Sequence, residues 1–229
     1  MLTDYRTLLV SLFESLQRLR ADPYGRAREG WIIQCTLIAQ ITAAEARIRN
    51  SKQLAASLRK QLSTPQPVRP TKAEAQKVKD TIASHDDAIE TDELLIDVLR
   101  DVGDGLAFVY IDKWDIKPMA FKDPPGYLSG KEGQSFELEI VKKAFDLGRV
   151  AILNDLTHCL RYGDVTLIRD GSFAFVEAKS GQTVNQRGKR QVAANDMIRE
   201  YLRTDRVVGL YGLCTFLIRK QAINVQGPE

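Results

Sequence analysis

The sequence predicts an α+β or α/β protein in which an α-helical region with a long antiparallel hairpin precedes a core of αβββαβ order. In the first hundred residues, apolar side chains recur at helical spacing over three long runs. Beyond about residue 133, short apolar strands alternate with helices. The 229 residues are 44% hydrophobic and 28% charged, which is a composition that folds rather than one that stays disordered.

The helical region is predicted from apolar periodicity and from the residues that interrupt it. Residues 1–20 carry leucines on one helical stripe, and the turn at 22–25 ends that helix. Apolar residues then recur every seven positions from about Trp31 to Leu62. After a proline-rich stretch at 63–71, the same spacing continues to about Val102. These two runs predict an antiparallel hairpin with a coiled-coil seam.

The domain organisation follows from a change of pattern after Gly103 and Gly105. We expect a helical region at 1–105, a connecting segment rich in proline and glycine at 106–133, and a second domain at 134–229. The hairpin seam contains alanine and polar residues, so a two-helix hairpin buries too little apolar area alone. Its cover is either the first helix, a second copy in a homodimer, or a partner protein.

Several function classes are excluded or disfavoured by counts. Two histidines cannot supply a multi-histidine zinc site, and no glycine-rich run matches a P-loop. The three cysteines form no C-x-x-C pair and are expected to be buried thiols. No stretch is apolar enough for a membrane span, and the N-terminus lacks the basic start of a secretory signal, so we expect a cytoplasmic protein with no membrane contact.

The positive charge is concentrated in one segment. The formal net charge is only +3, yet residues 179–206 hold seven basic residues against three acidic ones. A localised positive surface suits the phosphate backbone of a nucleic acid.

The strongest chemical signal lies around the predicted turn Asp170-Gly171. A two-residue turn there pairs Arg169 with Ser172 and, continued outward, sets Asp164 opposite Glu177. Facing carboxylates are destabilising unless a cation lies between them, and hard oxygen ligands suit Mg²⁺. Because side chains alternate along a strand, Lys179 shares the face of Glu177.

A third carboxylate is expected from the preceding helix. Glu137 lies on the apolar stripe that contains Val141 and Ala144, whereas Glu139 does not. A carboxylate on the core side of a helix is costly unless it is paired or binds a metal. A favourable interaction with the helix dipole is the alternative explanation for Glu137. The D-x-K triplet at Asp115 is a weaker candidate, since no acidic hairpin precedes it.

These residues resemble the PD-(D/E)xK nuclease superfamily, which has the restriction-endonuclease-like fold. The resemblance covers about residues 130–220 and rests on the helix with Glu137, on Gly163-Asp164, on Glu177-Ala178-Lys179 and on a following helix with Gln191. Gly163 stands where the family name has proline. Gln191 is similar to a glutamine of the exonuclease-like branches, although Asn195 stands where those often have tyrosine.

The resemblance implies a role for each matching residue. Asp164 and Glu177 would ligate the metal together with the backbone carbonyl of Ala178, and Glu137 would support it from the helix. Lys179 would serve the attacking water, and Gln191 would belong to the catalytic set.

The resemblance further implies a Mg²⁺-dependent nuclease, with Mn²⁺ able to substitute, that acts on DNA, with RNA as the alternative substrate. Arg187, Lys189 and Arg190 would hold the phosphate backbone without reading its sequence. Arg161 is a further candidate phosphate contact, with a surface connector as the alternative. Similarity to small nucleases with helical partner regions suggests a restriction or anti-phage defence component. The other interpretations are a catalytically silent nucleic-acid binder and an assembly protein whose hairpin recruits a partner.

Overall fold

The structure is a computed structural model that describes residues 2–63, 71–116, 126–131, 133–161, 163–169, 172–176, 206–209 and 212–217. The helices are α1 (Leu2–Ala21), α2 (Ala27–Ser63), α3 (Lys72–Tyr110), α4 (Lys113–Ile116) and α5 (Gln134–Asp146). The strands are β1 (Val150–Leu153), β2 (Val165–Arg169), β3 (Ser172–Val176), β4 (Arg206–Gly209) and β5 (Gly212–Leu217). The first three form one antiparallel sheet in the order β1-β2-β3, and β4 pairs with β5. The helix predicted at 186–203 lies outside the described residues.

The predicted helical hairpin is confirmed. Helices α2 and α3 have 37 and 39 residues, which corresponds to lengths of about 55 to 60 Å. Two ion pairs link the helices, Arg47–Asp92 and Arg59–Asp86, each at 2.6 Å. The later residue of α2 pairs with the earlier residue of α3, as two antiparallel helices require. A capping box between Thr71 and Glu74 begins α3, since each residue bonds the other's backbone N–H.

The first helix supplies the third member of this bundle. Leu12 and Leu19 of α1 are fully or nearly fully buried, and α1 packs on both α2 and α3. The main hydrophobic core includes Ile48 and Ile89 but none of the described residues between them. The inner half of the hairpin is therefore covered within the chain, whereas its outer arm extends past the core.

Helix α3 continues through Gly103 and Gly105 to Tyr110, beyond the predicted end of the helical region at residue 105. The glycines serve packing rather than a break. A Cβ on Gly103 would lie 1.8 Å from the carbonyl oxygen of Leu156, so only glycine lets the segment after β1 lie against the helix. Helical and sheet residues share one core.

The sheet has the register expected from the Asp170-Gly171 turn, although those two residues lie outside the described ranges. Arg169 pairs with Ser172, Ile168 with Phe173, and Thr166 with Phe175. Helix α5 lies against β1 and is joined to it by only three residues. This α5-β1-β2-β3 order confirms the first half of the predicted αβββαβ pattern.

One side chain joins the helical bundle to the sheet. In the described sheet β1 is an edge strand, and the buried side chain of Gln34 from α2 occupies that edge. Its Nε2 donates to the carbonyl of Ala151 at 2.8 Å, and its Oε1 accepts from the N–H of Leu153 at 2.9 Å. The amide thus bonds the strand as a neighbouring strand would.

The end of the connecting segment is held by the hairpin. The carboxylate of Glu45, which is fully buried, accepts from the N–H of Leu128 at 2.5 Å and from the N–H of Ser129 at 2.7 Å. Arg100 donates to the carbonyl of Gly126 at 2.8 Å. Burial lowers the pKa of Arg100, and nearby carboxylates oppose this shift.

Two simpler expectations have different outcomes. Cys159 is buried as predicted, but Cys35 is exposed because its position on α2 faces away from the core, so that prediction was wrong. The side chain of Cys214 is not among those described. None of the helices in the described part of the chain has the length and apolar character that crossing a bilayer requires.

We predict that Gln34→Leu destabilises the protein by roughly 2 to 6 kcal/mol. The substitution leaves two buried backbone groups of β1 without partners, and each such group costs about 1 to 3 kcal/mol. Urea denaturation monitored by circular dichroism measures the change. Gln53→Leu, an exposed position of the same helix, is the matched control and should stay within about 0.5 kcal/mol of the wild type. Equal stabilities of the two variants would contradict this role of Gln34.

Candidate functional site

Three of the predicted site residues are described in the structure: Glu137, Asp164 and Arg161. The others lie outside the described residues, and their roles stay predictions; they are Glu177, Ala178, Lys179, Arg187, Lys189, Arg190 and Gln191.

Asp164 lies directly before β2, where its peptide groups bond to both neighbouring strands. Its carbonyl accepts from the N–H of Asn154 beside β1 at 2.9 Å, and its own N–H donates to the carbonyl of Val176 in β3 at 2.9 Å. In a regular antiparallel strand both groups of one residue point to the same neighbour. The opposed directions mark a local irregularity, of the kind that re-aims side chains beside functional sites.

Gly163 produces this irregularity. Its φ is +67°, a left-handed conformation that costs other residues free energy. A Cβ here would also lie 2.9 Å from the carbonyl oxygen of Val176. The superfamily name has proline at this position, whereas in this chain the backbone conformation and the close approach of Val176 admit only glycine.

Asn154 bonds the same segment through its side chain. The sequence did not lead us to predict this residue. Its side chain is buried, with Nδ2 donating to the carbonyl of Gly163 at 3.2 Å and Oδ1 accepting from the hydroxyl of Thr166 at 2.6 Å. The available signal was a polar residue placed directly after the apolar strand VAIL. Asn154 is therefore a positioning residue for the Gly163-Asp164 turn.

Glu137 faces the core, as predicted. It is buried together with Val141 and Ala144 on one side of α5, while Glu139 is exposed. Helix α5 runs antiparallel to β1 after a connection of three residues. Glu137 lies nine residues before the end of α5, and Asn154 lies four residues after the start of β1. At the rise per residue of a helix and of a strand, both distances from the connection are about 13 Å. Glu137 and the Asn154-Asp164 pair thus occupy the same end of the α5-β1 unit.

The segment that carries Arg161 is fixed to α3. Asp104 accepts from the backbone N–H groups of His158 and Cys159 at 2.7 and 3.0 Å. The ring of His158 lies 3.3 Å from the carbonyl of Asp97 on the same helix. Arg161 follows this segment and is half-buried. The connector is thus a defined structure, and it ends two residues before Gly163.

The described residues supply part of the oxygen ligands that a hard cation such as Mg²⁺ would need. No group of three His, Cys, Asp or Glu side chains close enough to hold a metal occurs there. Asp164 and Glu137 are both carboxylates, which is the donor type that Mg²⁺ prefers. Asp115 lies on the short helix α4 rather than at the end of a strand, so the D-x-K triplet there lacks the expected context.

Comparison of the chain with protein-family models, with curated proteins and with solved structures found no match.

We predict that Gly163→Ala destabilises the protein by at least about 1 to 2 kcal/mol more than Gly148→Ala does. Both glycines have nearly the same φ, +67° and +68°, so both substitutions incur the same backbone penalty. Only at position 163 does the new Cβ meet another atom within 4 Å. Thermal and urea unfolding of the two variants measures the difference, and equal losses would remove the close approach to Val176 as a constraint on the site.

Proposed function

We propose that this protein is a metal-dependent nuclease that hydrolyses phosphodiester bonds, with DNA as its substrate. The observation that carries the proposal is the β2-β3 register, which pairs Val165 with Val176 as the turn predicted. The next residues outward in the sequence are both carboxylates, Asp164 and Glu177, and the regular ladder ends at Asp164, whose N–H donates to the carbonyl of Val176. Two acids that meet at the open end of a hairpin would be stabilised by a cation between them.

The backbone around Asp164 supports this interpretation. The Gly163-Asp164 turn is held by Val176 of β3 and by Asn154, which bonds it through both its backbone N–H and its side-chain amide. Groups that act in catalysis must be positioned within a fraction of an ångström, and such precision comes from supporting bonds that lock the backbone. Glu137 lies at the same end of the α5-β1 unit, on the side that faces the core.

Asp164 and Glu177 would hold Mg²⁺ through carboxylate oxygens, with the Ala178 carbonyl and Glu137 in support. A bound Mg²⁺ would stabilise the charge that develops on the phosphate and would lower the pKa of a nearby water. Lys179, on the strand face of Glu177, would orient the attacking water by donating a hydrogen bond to its oxygen, because an ammonium only donates. Gln191 would complete the catalytic set from the following helix.

Binding of the substrate would depend on the basic segment. Arg187, Lys189 and Arg190 would neutralise backbone phosphates, and Arg161 would contribute from the connector before Gly163. Such contacts give affinity that falls with salt and carry no base specificity. By the same resemblance we propose a cytoplasmic role in restriction or anti-phage defence.

The outer arm of the hairpin favours a second candidate function, recruitment of a partner protein or of a second copy. This arm lies beyond the main core, and its described side chains form cross-helix ion pairs such as Arg59–Asp86. Leu54 is the large apolar residue that it exposes among the described positions. A partner would therefore meet a mostly charged surface. Under this second candidate function, the sheet domain would bind nucleic acid without cleaving it.

We predict that Asp164→Asn lowers nuclease activity by on the order of 100-fold or more while the free energy of unfolding stays near the wild-type value. Backbone hydrogen bonds hold residue 164 on both sides, and these bonds persist when the substitution removes the charge. Cleavage of plasmid DNA, single-stranded DNA and RNA is measured with Mg²⁺, with Mn²⁺ and with EDTA. Asp87→Asn, an exposed position on α3, serves as the control and should cleave normally. Wild-type cleavage by Asp164→Asn would show that the site is assigned wrongly.

We also predict that Lys179→Ala and the double variant Arg187→Ala/Arg190→Ala fail in different ways. The first should lose turnover and keep substrate affinity, because Lys179 acts on the water. The second should weaken DNA binding and flatten its dependence on salt, since fewer phosphates are neutralised. Single-turnover kinetics and salt titrations of binding separate the two effects. Identical losses of affinity in both variants would contradict the distinct roles.

A further inference from the structure

A cleft of about 360 Å³ lies at the other end of the α5-β1 unit, between the first turn of α2 and the last turn of α5. Its lining includes two aromatic side chains, Trp31 and Phe145, which we refer to as its floor. It also includes four charged side chains, which we refer to as its rim: Arg28, Arg149, Lys142 and Asp146. None of these residues belongs to the proposed catalytic set. The volume lies in the range of pockets that hold small ligands.

The floor presents aromatic surface to the cleft. The ring centroids of Trp31 and Phe145 are 5.7 Å apart with planes tilted by 46°, so each ring supports the other. Both side chains are half-buried, which leaves part of each ring accessible. An accessible tryptophan that is held by a second ring is a rigid surface for stacking.

The rim carries an excess of positive charge. Lys142 is neutralised by Asp146 at 2.8 Å, one turn along α5. Within the described part of the chain, Arg28 and Arg149 form no ion pair and no side-chain hydrogen bond. Two guanidinium groups with unused donors thus flank an aromatic floor.

From this arrangement we propose that the cleft binds a nucleotide unit, with the base stacked on Trp31 and the phosphate held by Arg28 and Arg149. Bases stack on aromatic side chains whatever their sequence, and guanidinium groups match phosphate oxygens in pairs. A simple anion would not use the aromatic floor, and an apolar ligand would not use the arginines. The unit belongs either to a free nucleoside 5′-phosphate or to a nucleic-acid strand.

The site is separate from the proposed catalytic end. Arg149 precedes the first residue of β1, whereas Asn154 follows its last residue, about 17 Å away along the strand, and bonds Asp164. The inference therefore does not depend on the nuclease reaction. Binding is measured with EDTA present and without cleavage, so its failure and the failure of the proposed function are distinguishable.

The test uses the fluorescence of Trp31 in the full chain. The sequence has two tryptophans, and a Trp114→Phe background leaves Trp31 as the reporter. Thymidine, inorganic phosphate, thymidine 5′-monophosphate and an oligothymidylate are titrated separately. We expect saturable quenching by the monophosphate, at least tenfold weaker binding of thymidine and of phosphate, and tighter binding of the oligonucleotide where a strand is the natural source.

The arginines are tested by Arg28→Gln combined with Arg149→Gln in the same background. Both positions are exposed, so the fold should persist, as checked by circular dichroism. We expect affinity for the monophosphate to fall tenfold or more, while the control Arg20→Gln on α1 leaves it unchanged. Absence of saturable quenching by every probe, equal affinity in the double variant, or displacement of the nucleotide by an acidic peptide at equal concentration would overturn the proposal.

Discussion

The bidentate contact of Gln34 with β1 is the constraint on which the arrangement of helices and sheet depends. An edge strand that packs against a helix buries backbone groups with no neighbouring strand to bond, and a buried unpaired group costs more than a hydrogen bond contributes. The side-chain amide of Gln34 solves this by presenting one donor and one acceptor at strand spacing. Because that amide comes from α2, the bundle and the sheet share a core rather than forming separate units.

The position of β1 in turn sets the positions of the neighbouring site residues. The short connection from α5 sets Glu137 at the far end of the strand, and the residue that follows β1, Asn154, holds the Gly163-Asp164 turn. Gly103 allows the segment after β1 to approach α3, and Asp104 then bonds that segment. Contacts from α3 and from the residue after β1 therefore position the segment that carries Asp164.

Features that repeat along the chain were predictable from the sequence. The helical hairpin, the first helix and the buried face of α5 all carry apolar periodicity, and the β2-β3 register follows from a two-residue turn between alternating strands. Periodicity reports which face of an element is buried, and in a hairpin the turn fixes the pairing. Glu137 was found because it breaks such a pattern.

Single long-range contacts leave no periodic signal, and there the sequence reasoning failed. A boundary was predicted after Gly103 and Gly105 because the sequence pattern changes there, yet the helix is continuous and the missing side chain of Gly103 makes room for Leu156. Gln34 and Asn154 are polar residues on otherwise apolar surfaces, and only the fold shows which backbone groups they satisfy. Cys35 was misjudged for the converse reason, since residue type alone does not report which side of α2 it occupies.

The acidic residues and the arginine-lined cleft lie at opposite ends of the α5-β1 unit, separated by the length of one strand. Its far end carries the buried carboxylate of Glu137 and the Asp164 turn, and its near end carries the aromatic cleft with Arg28 and Arg149. Opposite charges placed at opposite ends of a rigid unit do not neutralise one another, because screening limits their interaction over about 10 Å at moderate salt. Under the proposed function, an extended polyanion lying along the unit would meet the two arginines at one end and the carboxylates of Glu137 and Asp164 at the other. Under the same proposal, a cation at the acidic end would lower the electrostatic free energy of bringing a phosphate close to carboxylates.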